Sequence, residues 1–129
     1  MKQIKLRPFY QNDKAGFKDQ DGNIVIDFIY DEVHPFSVGL ALVRKNGKWG
    51  YINTSGKLVI PCKYNPAWSF TKNGLAAVCQ NGKCGFINQK GKVIIPLMYD
   101  DAKYFGKDGT ARVKLNGEIF YIDGDGNKI

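Results

Sequence analysis

"NGKWGYINTSGK" at residues 46–57 and "NGKCGFINQKGK" at 81–92 are nearly the same twelve residues. Each opens on Asn-Gly, the strongest short hairpin signal, because a type I′ turn needs positive φ at both central residues and Asn and Gly tolerate it. Each closes on a second turn, "TSGK" or "QKGK", in which glycine supplies a left-handed position. One strand must therefore precede the Asn-Gly, one must lie between the turns, and a third must follow. Is this a catalytic device written twice, or a structural unit?

The rest of the chain answers in favour of structure. Gly22, Gly56, Gly91 and Gly126 recur at spacings of 34, 35 and 35, and Phe17, Tyr51, Phe86 and Tyr121 keep the same spacings. Tyr30, Tyr64 and Tyr99 form a third series, and Phe36, Phe70 and Phe105 a fourth. Asn-Gly recurs at 116–117, with Asn-Asp in its place at 12–13. A fixed period of this length marks a repeat architecture. Strand A reads "LALVRK", "LAAVCQ" and "TARVKL"; strand B reads "KWGYIN", "KCGFIN" and "EIFYID"; strand C begins "IVIDFIY", "LVIPCKY" and "VIIPLMY".

Side chains alternate along a strand, so the repeat also assigns faces. Ala41, Ala76 and Ala111 keep one register, as do Val43, Val78 and Val113; these positions are expected to look inward. Leu42, Ala77 and Arg112, then Arg44, Cys79 and Lys114, vary and are expected to look outward or toward a second layer. Counting back across the turn sets Val43 opposite Gly50 and Ala41 opposite Ile52. Gly50 and Gly85 then lie on the inner face, where a missing side chain lets another backbone or ring approach. Trp49 and Tyr51 fall on the other face, beside Arg44 and Leu42. Pro61 and Pro96 cannot donate to a ladder, so strand C is an edge or turns a corner there. The following "YDEVHPF", "YNPAWSF" and "YDDAKYF" read as bends leading to the next strand A.

At 129 residues the chain is the size of one domain. A chain this long buries about two-thirds of its unfolded surface and needs no staples. Its 43% hydrophobic content excludes global disorder. The net charge of +7 and pI near 9.3 favour acidic partners without choosing among nucleic acid, anionic membrane and acidic protein. Three cysteines, an odd count, argue against a secreted disulfide framework. No apolar run is long enough for a signal peptide or a membrane span. A cytoplasmic location and no membrane partner are the expectations.

The segment "GLALVRKNGKWGYINTSGKLVIPCKYNPAWSF" resembles the WG (KWG) repeat of bacterial repeat proteins, and the resemblance runs from about Ala15 to the C-terminus. Only Trp49 keeps the signature tryptophan; Ala15, Cys84 and Ile119 stand in its place elsewhere, Phe120 replaces the last glycine of the pair, and Asp27 stands for the proline of the first copy. The resemblance implies an interaction-type repeat protein and carries no catalytic residues.

Candidate sites are few. Arg44 faces Trp49 across the turn, and a cation over an exposed indole contributes about 0.5–1 kcal/mol. With Tyr51 these make either a ligand platform or a cross-strand pair that shields the sheet. Cys79 and Cys84 occupy the same two positions one unit on. They read as two neighbouring thiols, with a cross-strand disulfide as the alternative. Zinc would need further ligands, and only Cys62 and His34 are left, at no standard spacing. His34, the only histidine, has no marked nucleophile or acid beside it. "DGDGNK" at 123–128 imitates a calcium loop but lacks its glycine and late acid. Trp68 sits at a variable place in a bend, where aromatics serve as interaction anchors. Lys48 and Lys83, with Lys57, Lys90 and Lys92, flank the turns. They serve a single-stranded nucleic-acid binder or, more simply, guard sheet edges against aggregation.

The expected fold is all-β: tandem three-stranded antiparallel β-hairpin repeats of about 35 residues in an open or superhelical stack, with a small propeller-like or closed arrangement as the alternative. Propeller blades run longer, at about 40–50 residues. One repeat domain is expected over 1–129, with units near 1–38, 39–73, 74–108 and an incomplete 109–129. The expected function is a non-enzymatic module for protein–protein interaction or scaffolding, without cofactor or metal. Its partner-binding candidates are Trp68, Arg44, Trp49, Tyr51, Lys48 and Lys83. The alternative is a binder of nucleic acid or another anionic polymer through a lysine-rich surface. Exposed edge strands allow a homodimer.

Overall fold

The computed structural model describes residues 5–129, so the first four residues of the unit expected over 1–38 lie outside it. The described residues form strands and turns only. Strands β1 (Arg7–Gln11), β2 (Lys14–Lys18) and β3 (Ile24–Tyr30) make the first sheet; β4 (Glu32–Val33), β5 (Leu40–Lys45), β6 (Lys48–Asn53) and β7 (Leu58–Tyr64) make the second. Strands β8 (Ala76–Gln80), β9 (Lys83–Ile87) and β10 (Val93–Tyr99) make the third, and β11 (Asp101–Ala102), β12 (Ala111–Leu115) and β13 (Glu118–Ile122) the fourth. Each hairpin turns through two residues at positive φ, as at Asn46 (55°) and Gly47 (80°), and even Asn12-Asp13 does so at 52° and 63°.

The turns between strands B and C share one device. The side chain that ends strand B accepts two backbone N–H groups: Asn53 from Ser55 and Lys57, Asn88 from Lys90 and Lys92, Asp19 from Asp21 and Asn23. Such Asx turns mimic a backbone turn with a side chain. Asp123 does the same for Asp125 and Asn127, so "DGDGNK" is the fourth of these turns. These hydrogen bonds hold the Asp19 and Asp123 carboxyls below the ordinary value of 3.8, the backbone N–H of Asn23 and of Asn127 contributing most.

Strand C is an edge in every sheet that has one, as Pro61 and Pro96 require in the second and third. It also bulges. Tyr51 pairs with Ile60 and Trp49 with Tyr64, so β7 spends two more residues than β6 over that stretch, around Pro61. The bulge folds over Gly50, where an added Cβ would lie 2.4 Å from the Ile60 carbonyl oxygen. Gly50 and Gly85 thus serve the close backbone approach expected of them.

The bends are more than bends. Val33 pairs with Val43 and Ala102 with Val113, and between them Ala67 makes a single bridge to Val78, so each exit segment lies along the free edge of the next sheet's strand A. The first and third sheets are three-stranded as expected, β4 adds a fourth strand to the second, and β11 is the third strand of the last sheet, which has no strand C among the described residues. A two-residue strand is too short to display alternation, and Pro35 and Pro66 mask it further.

Successive sheets pack face on face. Ala41, Val43 and Ile52 meet Ala15, Phe17, Ile26 and Tyr30 of the first sheet. Leu42 and Tyr51 meet Ala76, Val78 and Ile87 of the third. Ala77, Cys79 and Phe86 meet Ala111, Val113 and Ile122 of the fourth. Of the two outcomes expected for the variable positions, solvent or a second layer, Leu42, Ala77 and Cys79 take the second and are buried between sheets. Alternation names two faces but cannot say that both are covered. Each joint repeats an equivalent aromatic pair, Phe17–Phe36 (4.7 Å), Tyr51–Phe70 (4.8 Å) and Phe86–Phe105 (4.8 Å). Each also sets a turn glycine on an isoleucine of the sheet before: Gly56 on Ile26, Gly91 on Ile60, Gly126 on Ile95. The four sheets stay separate and pack in sequence order, an open stack rather than a closed ring.

Two of the three joints share an ionic clamp. Asp31 accepts from Lys14 of its own unit and from the Asn46 N–H of the next, and Asp100 accepts likewise from Lys83 and Asn116. Asn65 replaces the acid at the middle joint, where its N–H donates to the Cys79 carbonyl. The lysine side-chain hydrogen bonds, and then the backbone N–H of Asn46 or Asn116, hold both carboxyls below 3.8. A depressed folded pKa means stability present above the unfolded value and lost as pH falls through the folded one. The Asp31→Asn/Asp100→Asn protein is expected to melt below the wild type at neutral pH, and the gap to close as pH falls below 3.8. Thermal melts from neutral pH to about pH 2 check this; a gap constant with pH would show that the carboxylate charges contribute nothing.

Candidate functional site

The exit segments and the loops after them line one side of the stack. Trp68 is fixed there by its backbone: its N–H donates to the Ala77 carbonyl (3.0 Å), and its own carbonyl accepts the Tyr51 hydroxyl (2.6 Å). One edge of the indole packs on the core between the third and fourth sheets, and the Lys103 ammonium lies 5.8 Å from its ring centre. Beside it opens a cleft of about 440 Å³ lined by His34, Leu42, Ala67, Trp68, Phe70 and Tyr104, with Ser69 and Thr71. A second cleft, about 940 Å³, is lined by Thr71, Lys72, Asn73, Tyr104, Phe105 and Lys107, with Gly106 and Gly109. Thr71 and Tyr104 belong to both, so the two form one trough.

The trough has an apolar half and a basic half. Leu42, Ala67 and Phe70 are buried residues that show one surface to the first cleft, and Tyr104, at 57% exposure, forms the wall between the two. Lys72 and Lys107 are exposed, and among the described residues neither forms an ion pair. No carboxylate lines either cleft. Asp108, next to Lys107, already accepts from the Thr110 N–H and hydroxyl, and Asp101 lies 3.8 Å from Lys103.

The six residues singled out in the sequence fall in different places. Trp68 lines the trough. Arg44 pairs with Trp49 and its guanidinium lies 5.7 Å from the indole centre. Glu32 ties that pair to His34, forming an ion pair with Arg44 (3.5 Å) and contacting the His34 ring (3.0 Å), whose centre is 5.4 Å from the Trp49 ring. The Arg44–Trp49 pair therefore reaches the trough only at its far end, through His34. Tyr51 is not a surface residue: it is fully buried, and burial pushes its phenol pKa far up. Its expected partner-binding role is corrected, because the third sheet covers the face that Tyr51 occupies. Lys83 is held by Asp100 at 2.7 Å, whereas its counterpart Lys48 faces Asn65 in register and has no ion pair among the described residues. The lysine row is thus interrupted at Lys83, which Asp100 neutralises.

The cysteines are also corrected. Cys79 and Cys84 are joined in a disulfide, with Cα atoms 4.0 Å apart, rather than standing as two thiols. Both backbone polar groups of Cys79 point away from β9, its N–H to Pro66 and its carbonyl to Asn65. The pair is therefore non-hydrogen-bonded, the register in which opposed Cα atoms come closest. Cys62 stands apart, half-buried, its thiol pKa raised by burial. Among the described residues no cluster of three metal-ligating side chains exists, and no helix is long and apolar enough to cross a membrane.

Comparison with known families matches the pattern described as WG containing repeat at residues 16–49, 49–84 and 85–118. Together these cover most of the chain. It belongs to the WG containing repeat family. A comparison with curated proteins found no match. Each matched WG repeat starts within strand B of one sheet and ends within or just before strand B of the next. The recurring sequence unit therefore spans a joint between sheets. In the WG signature, Trp49 stands across from Arg44, whereas in the next copy Cys84 is covalently tied to Cys79 at the same cross-strand place.

Sequence reading missed Tyr104, Lys72 and Lys107. A signal existed for the lysines. "FTKNG" (70–74) and "FGKDG" (105–109) each hold one residue more than "FSVG" (36–39), and both put lysine at the same place. Tyr104 is the only aromatic directly before the fixed phenylalanine of a bend.

Proposed function

We propose that this WG repeat protein is a non-enzymatic interaction module that docks a protein partner in the trough between Trp68 and Tyr104. The observation that carries the reading is a half-buried indole, anchored by its backbone, beside a strongly exposed tyrosine over an apolar floor. Clefts of this kind, with aromatic walls and few polar groups, are where binding energy concentrates. The open stack supplies rigidity: both neighbouring sheets pack on the elements that carry the trough.

Affinity capture from native lysate, run in parallel with wild type and Tyr104→Ser at low and high salt, tests this. Tyr104 is exposed, so the substitution leaves the cores intact. At least one protein is expected to survive high salt on the wild type and to fall about tenfold on Tyr104→Ser. Identical profiles for the two proteins would overturn the proposal, as would recovery of nucleic acid alone at low salt.

A further inference from the structure

We infer that the trough takes an acidic, extended polypeptide segment bearing one apolar anchor residue. This rests on the docking role just proposed and adds the chemistry of the partner. The two halves of the trough divide the recognition. The first cleft, about 440 Å³ with Leu42, Ala67, Phe70, Trp68 and Tyr104 around it, has the apolar lining for a large apolar side chain and more than enough room for it. The second is rimmed by Lys72 and Lys107 with no carboxylate in its lining, so carboxylates of a bound segment meet two cations that form no ion pair among the described residues. Lys103, beside Trp68, is paired with Asp101, so the free positive charge of the trough rests on Lys72 and Lys107, in a chain that as a whole carries +7.

An anionic occupant is favoured by this charge, and a polypeptide is favoured over a nucleic-acid strand by the floor. Base stacking needs successive exposed ring faces along the path. Here Phe70 and Phe105 are buried, and of the two remaining Tyr and Trp rings one, Trp68, is half-buried against a core. Beyond Tyr104 the path runs over Thr71, Asn73, Gly106 and Gly109, which offer no rings but leave room for carboxylates and main chain. Complementary charge at such a rim governs encounter and salt dependence, while the apolar anchor supplies affinity that salt does not remove.

The test uses the full chain and four fluorescein-labelled probes read by anisotropy. One is a decapeptide of aspartate and glutamate with a central phenylalanine. The second has serine for the phenylalanine, the third has glutamine for every acid, and the fourth is a ten-residue oligothymidylate. The acidic phenylalanine peptide is expected to bind best, with the serine and glutamine peptides each at least about tenfold weaker. Lys72→Glu/Lys107→Glu is expected to abolish the salt dependence, and Tyr104→Ser to erase the advantage of phenylalanine over serine. Equal binding of the phenylalanine and serine peptides would overturn the inference, and so would tighter binding of the oligonucleotide through the same residues. If no peptide binds while lysate capture still depends on Tyr104, the docking role stands and the acidic chemistry falls. If the peptides bind as stated but capture does not depend on Tyr104, the acidic site stands and the proposed cellular role falls.

Discussion

Replacing Gly50 with alanine is expected to destabilise the protein by about 3 kcal/mol, at the upper end of what a single added methyl group does in a packed interior. The cause is backbone. The new Cβ would lie 2.4 Å from the Ile60 carbonyl oxygen and 2.7 Å from the Cys62 nitrogen, neither of which can swing aside like a side-chain tip. Strand C would have to lift from β6, and with it Ile60 and Tyr64, which fill the second core. Gly85→Ala should behave alike, since its Cβ would meet the Ile95 and Pro96 carbonyl oxygens at 2.5 Å. The molecule contains its own control. The fourth sheet holds Phe120 at the place of Gly16, Gly50 and Gly85, and there the described residues put no bulged strand C over β13. The ring instead packs 6.3 Å from Tyr99. Urea denaturation checks the expectation, with Gly124→Ala as reference because nothing lies within 4 Å of its Cβ. A Gly50→Ala midpoint equal to that of Gly124→Ala would show that the crossing is looser than the contacts imply.

Much of this was legible because the constraints are local. Asn-Gly turns need positive φ, the prolines at 61 and 96 can lie only on an edge, and a glycine facing inward announces a close approach. The repeat multiplied each signal, so that Asn53, Asn88 and Asp123 support one another as the same turn. What was not legible depends on the third dimension. Leu42 and Tyr51 share a face, and alternation alone leaves that face free to meet water or another sheet. The short exit strands were hidden because two residues at Glu32–Val33 or Asp101–Ala102 carry no period. The trough was hidden for another reason. Its walls, Trp68 and Tyr104, come from different units at positions that do not align, so no repeat comparison could pair them. The repeat sets Cys79 opposite Cys84, but register alone leaves two thiols and a disulfide equally open.

The second large effect concerns how the stack holds together. Phe86→Ala is expected to cost about 3–5 kcal/mol, the usual range for deleting a fully buried phenylalanine ring. Phe86 is fully buried and packs on Phe105 at 4.8 Å within the core shared by the third and fourth sheets. In a stack where each sheet touches only its neighbours, stability is nearly a sum of unit and joint contributions. The loss should therefore be uneven. Hydrogen exchange is expected to speed up in β12, β13 and the loop around Phe105, while β2 and β3, whose ring pair is Phe17–Phe36, keep wild-type protection. Phe105→Ala should reproduce the pattern, and the double variant should fall short of the sum by about 0.5–1.5 kcal/mol, the direct coupling of the two rings. Uniform loss of protection across all four sheets would mean that the stack opens as one cooperative body. An uneven loss would mean instead that the joints are separable, and that the trough, which spans the second and third of them through Trp68, Phe70 and Tyr104, is only as firm as the weaker of the two.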